Sequence, residues 1–222
     1  YSDHLRPEFH VHNQSYAFPR LYLAAGITTA RTGAAVEPYT DLALAAASRR
    51  GEIPAPEFNV TSALIAGPDP LIRQAASMQT PAEAVRFVNY WADEGVGSYK
   101  LYMSATPDIV EAVTTAAHQR GLKVTGHLCM TSYAEAARRG IDNLEHGFFA
   151  ATDFVKDRVA GECRETPDAE FVQLTPDAPA VRELYQVLID HNVAFTSTLA
   201  VFASGSHEHQ PLDPNTIEAM TP

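Results

Sequence analysis

Basic residues are scarce in this chain. Sixteen Lys and Arg stand against twenty-seven Asp and Glu, a formal charge of −11 over 222 residues. That balance argues against nucleic acid and anionic membrane surfaces as partners. Long apolar runs are missing too: none approaches the roughly 20 residues that span a bilayer, so no membrane partner is expected. No signal-like leader opens the chain. Its first residue is Tyr1 rather than Met, which leaves room for a leader or a longer segment ahead of it. Only two cysteines occur, Cys129 and Cys163. They read either as free thiols, in keeping with a cytoplasmic protein, or as one disulfide between two loops, which would imply a periplasmic or secreted one. Low-complexity tracts and a linker between two cores are likewise absent, so residues 1–222 read as one domain.

What the chain does have is an apolar share of 45%, enough for a sizeable core, and an alternation of short β-branched runs with helical periods. The strand-like runs are Ile27–Arg31, Glu57–Thr61, Ser98–Tyr102, Leu122–His127, Asn143–Gly147 and Val193–Val201. Helical segments lie at about 18–25, 39–50, 80–94, 106–121, 132–139 and 181–192. Several carry clear boundary signals. Thr80-Pro-Ala-Glu83 reads as a capping box with proline at the first helical position. Thr106-Pro107-Asp108 reads as an N-cap with an acid on the positive end of the helix dipole. Gly26, Gly51, Gly121 and Gly140 stand as stops. Residues 67–77 read as a long loop. Between Phe148 and Pro179 the sequence turns polar and aperiodic, too long for an ordinary connection, and reads as a functional or mobile insertion.

Three side chains recur at the period of this alternation. Lys100, His127 and His146 each sit in or at the end of a strand-like run, 27 and 19 residues apart, and each gap holds one crossover helix. Parallel strands so connected deliver Lys, His and His to their carboxyl ends, where α/β barrels build their sites. Alternation puts Lys100 and Tyr102 on one face and Tyr99 and Leu101 on the other, toward covering helices.

Tyr99-Lys-Leu-Tyr102, Val124-Thr-Gly-His-Leu128, Leu144-Glu-His-Gly147 and Ala24-Ala-Gly-Ile-Thr-Thr-Ala-Arg31 together resemble the amidohydrolase superfamily, in particular its imidazolonepropionase-like and prolidase-like branch. The resemblance covers nearly the whole chain. It implies a TIM (β/α)₈ barrel in which Lys100 is carbamylated and bridges two divalent metals, most simply zinc, while His127 and His146 bind one of them. Two such ions about 3.5–4 Å apart polarise a carbonyl and activate water. A buried lysine suits carbamate formation because burial favours the neutral amine, and neutral imidazole suits zinc-like ions. The implied function is hydrolysis of an amide or related C–N bond in a small-molecule substrate. Ester, lactone or phosphotriester hydrolysis, or a non-catalytic barrel-derived module, remains open, as does homo-oligomer formation.

Some family features are not found. The count gives barrel strands two to seven, with no eighth strand, no aspartate ending it, and no flanking β-sandwich. The family's His-x-His pair ends its first strand. His10-Val-His12 has that spacing but follows no strand-like run, so both read as solvated loop histidines. His207-Glu-His209 reads the same way. The expected architecture is a partial barrel with strands two to seven in sequential order and an open seam where strands eight and one belong.

Overall fold

The computed structural model describes residues 14–68, 70, 72–164, 171–204 and 214. His10 and His12, and His207 and His209, lie outside the described residues. The helices are α1 (Ala17–Ala24), α2 (Pro38–Arg49), α3 (Pro81–Asp93), α4 (Pro107–Gln119), α5 (Tyr133–Arg138), α6 (Pro179–Asp190) and α7 (Leu199–Ser204). The strands are β1 (Thr29–Arg31), β2 (Glu57–Asn59), β3 (Ile65–Ala66), β4 (Ala76–Ser77), β5 (Ser98–Leu101), β6 (Lys123–Gly126), β7 (Asn143–Glu145) and β8 (Ala194–Thr196).

Every strand pairing is parallel. β1 pairs with β2, and a second sheet runs β4-β3-β5-β6-β7-β8. A bridge between Thr61 and Ser98 joins the two, as does the Gly97 N–H donated to Val60 O. The path from β1 through β2 to β5, β6, β7 and β8 is therefore in chain order, as expected. Among the described residues no pairing joins β1 to β8. The sheet is curled, because Arg31 at the end of β1 reaches Glu145 on β7 with a 2.7 Å ion pair.

The core lies between the sheet and its covering helices. Tyr99 and Leu101 are fully buried against it with Val88, Ile109, Val113, Val124 and Leu144, each such side chain contributing about 1.5–3 kcal/mol. Tyr99 also donates its hydroxyl to Val88 O on α3 at 2.6 Å, which shows that it faces outward. The opposite, concave face is polar. Ser98, Lys100, Thr125, Asn143, Glu145 and Thr196 line it, with Arg31 closing one side.

The boundaries depart from expectation in three places. The seventh barrel strand does not run to Val201: it ends at Thr196, and Thr198, with φ +55°, turns the chain into α7. The loop over residues 67–77 is bracketed by β3 and β4, which pair with each other. At α3, Thr80 accepts from the Glu83 N–H, but the Glu83 carboxylate takes the N–H of Gln79 rather than that of Thr80. The full reciprocal box forms instead at α5, between Ser132 and Glu135.

Candidate functional site

The three singled-out residues occupy the carboxyl halves of adjacent strands. Lys100 lies in β5 opposite Thr125 of β6. His127 follows β6 by one residue and donates its N–H to Leu101 O. His146 follows β7 by one residue and donates its N–H to Thr196 O at 2.7 Å. The two imidazole rings stand together, centroids 4.4 Å apart and inclined by 66°. Tyr102 packs edge-on against His127 with centroids 5.2 Å apart. Tyr102 shares the face of Lys100, two residues along the strand, so the lysine lies one layer below the histidines.

Backbone geometry marks His146 as a special position. Its φ is +72°, a conformation that costs an L-residue about 1–2 kcal/mol. Thr198, also left-handed, holds the ring: its Oγ1 is 2.8 Å from His146 Nδ1. Tyr133 donates its hydroxyl to Glu145 O and Gly147 O on either side of His146. A hydrogen bond at one imidazole nitrogen of this kind fixes the orientation of the ring.

Below the rings lies a buried charge cluster that the sequence reading did not assign. Glu145 is buried, with its Oε1 3.5 Å from Lys100 Nζ. The same oxygen accepts from Arg31 at 2.7 Å, from the Thr125 hydroxyl at 2.6 Å and from Asn143 at 3.3 Å. Burial alone would push the Glu145 carboxyl up, but Lys100, Thr125 and Arg31 together hold it below its ordinary value. Burial acts the other way on Lys100 and lowers its pKa to about 8, against the pull of Glu145. Glu145 had a signal in the sequence: alternation from Asn143 puts it on the Lys100 face. Arg31 had only its position at a strand end, and Thr198 lay inside the run Val193–Val201.

Among the described residues, no group of three or more His, Cys, Asp or Glu side chains gathers so as to hold a metal ion. The donors at hand are therefore the two imidazoles and Lys100. They fit a divalent ion in kind: two paired nitrogen ligands, one with its second nitrogen engaged, beside a lysine whose burial favours the neutral amine. Cys129 and Cys163 form a disulfide with Cα atoms 4.9 Å apart. No helix among the described residues is long and apolar enough to cross a membrane.

No family sequence model matches the chain, and none of the curated proteins compared with it matches. Solved structures do match. An amidohydrolase aligns with a TM-score of 0.57 and 18% identity, covering 90% of this chain and 49% of its own. A prolidase candidate from Bifidobacterium longum gives 0.56 and 20%, covering 91% and 48%. A bottromycin amidohydrolase gives 0.57 and 18%, covering 90% and 48%. The chain thus spans about half the length of the structures it matches. At these identities the likeness is one of fold, and it identifies an amidohydrolase-like α/β arrangement of parallel strands.

Proposed function

We propose that this chain contributes to a metal-dependent hydrolase that cleaves an amide or related C–N bond in a small molecule, in the manner of a dipeptidase or prolidase. The observation that carries this reading is the His127–His146 ring pair, 4.4 Å between centroids, set at the carboxyl ends of parallel strands above a buried lysine with a lowered pKa. Fold likeness to amidohydrolases is in keeping with it.

His127 and His146 would hold the ion through imidazole nitrogen, and Lys100, as a carbamate, would supply a bridging oxygen donor between two ions. When bound, the pair of divalent ions, zinc by donor preference, would polarise the scissile carbonyl and activate water. The chain's own residues prepare this. Burial favours the neutral Lys100 amine, whose nitrogen lone pair adds to carbon dioxide, giving a carbamate and releasing one proton to solvent. Arg31, Thr125 and Asn143 stabilise the Glu145 carboxylate beside it, so that carboxylate does not depend on Lys100 for all its compensation. Thr198 fixes the plane of the His146 ring.

Zinc content per chain and hydrolysis of blocked dipeptides against lactones test the reading together. Two zinc ions per chain, lost or halved in Lys100→Ala, with turnover of dipeptides, is the expected result. Unchanged zinc content in that variant would remove the carbamate. Turnover of lactones alone would move the reading to ester chemistry, and flat assays at full zinc occupancy would make the chain a non-catalytic module.

A further inference from the structure

We infer that residues 151–164 act as a strap that positions the loop carrying His127, and that the Cys129–Cys163 disulfide is its reducible fastening. The loop 127–132 follows β6 directly. On its inner side Cys129 and Met130 donate their N–H groups to Met103 O, and the Thr131 hydroxyl donates to Ala105 O. Its outer side is covered by the strap.

Four fastenings hold the strap down, at Thr152, Asp153, Arg158 and Cys163. Asp153 accepts the N–H of Tyr133 at 2.8 Å and of Ala134 at 3.0 Å, taking donors that the first turn of α5 leaves without helical partners. Arg158, largely buried, donates to Met130 O at 2.6 Å and pairs with Glu135 at 3.0 Å. Glu135 is the residue that closes the α5 capping box. Thr152 donates its hydroxyl to Cys129 O. Last comes the disulfide, two residues beyond His127 and joining positions 34 apart in the sequence. Polar fastenings of this kind are individually modest; the covalent one restricts the open loop far more strongly.

The disulfide is asymmetric in access, since Cys129 is buried and Cys163 exposed. A dithiol reductant reaches it from the Cys163 side. Its thiolate attacks Cys163 Sγ, the S–S bond breaks, and Cys129 leaves as thiolate and is protonated. The second thiol of the reductant then displaces Cys163. Two electrons and two protons pass to the protein, and the reductant becomes its own disulfide. The strap then keeps only Asp153, Arg158 and Thr152, and the His127 loop loses its tightest restraint. This arrangement stands whether or not a metal binds, and so does not rest on the hydrolase reading.

The test is hydrogen–deuterium exchange of the full chain before and after dithiothreitol, with reduction verified by alkylation mass. The expected result is a rise of about tenfold or more in exchange at Leu128–Thr131 relative to Ser98–Leu101, reversed on reoxidation; a smaller differential with Ser98–Leu101 unchanged overturns the strap. Should reduction loosen the whole chain, seen as an equal rise at Ser98–Leu101, the Arg158→Ala variant with its bridge intact decides the matter by the same threshold. Zinc retention, measured in parallel by dialysis, reports separately on the metal reading.

Discussion

His146 Nδ1 and Thr198 Oγ1 lie 2.8 Å apart, and both residues have positive φ, +72° and +55°. A β-branched residue in that region is a genuine outlier. Two strained positions joined by one hydrogen bond mean that the bond fixes the ring at a cost to the backbone. Thr198→Val keeps the shape and removes the hydroxyl. On the metal-binding role proposed for His146, zinc affinity should then fall roughly tenfold or more. Thr198→Gly should lose the same affinity while regaining about 1 kcal/mol of backbone strain. Zinc titration and thermal unfolding of the two variants separate the effects. Equal affinity in Thr198→Val and the parent would show that the contact does not orient the ring.

The Lys100 amine has a pKa lowered from 10.5 to about 8, which sets a pH dependence. In the unfolded chain the amine stays protonated to about pH 10.4. Between about 8 and 10.4 the unfolded state therefore binds more protons, and stability rises with pH. Metal-free protein should gain stability over this window, on the order of 3 kcal/mol from Lys100 if nothing else titrated. Other groups titrate too, so the comparison with Lys100→Met is decisive: the variant should lose the rise. Denaturant melts in chelator at pH 7.5 and 9.5 supply the measurement. Parallel curves for the two proteins would show that Lys100 is not held in a charge-disfavouring place.

Much of the scaffold was legible in the chain, because helix stops and β-branched runs are local signals. The order of β1, β2, β5, β6, β7 and β8 follows from them, as do the opposite faces of Lys100 and Tyr99. What local signals cannot report is which interior groups meet. Glu145 sat in the Leu144-Glu-His-Gly147 motif without a role, since its partner Arg31 lies 114 positions away and meets it only through the curl of the sheet. The last strand ends earlier than its composition predicts for a different reason. Phe195-Thr-Ser-Thr-Leu-Ala-Val201 is rich in β-branched and apolar residues, but the left-handed backbone at Thr198 breaks the strand, and that turn is tied to His146 across 52 positions.

Close backbone approach gives a sharper test of the β3–β5 junction. At Gly67 a Cβ would stand 1.9 Å from Ser104 O and 2.9 Å from Ser104 C. Both are main-chain atoms that cannot swing aside, and Gly67 N–H also donates to the Ser104 hydroxyl. Gly67→Ala should cost about 3 kcal/mol, at the upper end of overpacking effects. Gly51→Ala is the control: its φ is +70° but nothing lies within 4 Å, so it should cost only about 1 kcal/mol of backbone strain. Urea melts that give equal losses would show that the Ser104 backbone yields to the added methyl group at little cost.

The outer strands supply the last prediction. β5 is buried at all four residues, whereas β8 is exposed at two of three and β1 likewise. Parallel strands depend on cover over both faces, and unpaired edges template further pairing. Ile27 beside β1 is 41% exposed and Leu199 beyond β8 is 70% exposed, so each edge also carries apolar surface. Self-association through these edges should therefore make the apparent mass of the 222-residue chain rise with concentration in light scattering. Ile27→Lys combined with Leu199→Lys puts charge beside both edges and should flatten that rise. If the parent already shows a constant monomer mass, the edges do not drive association. If the double variant associates as strongly as the parent, association runs through another surface.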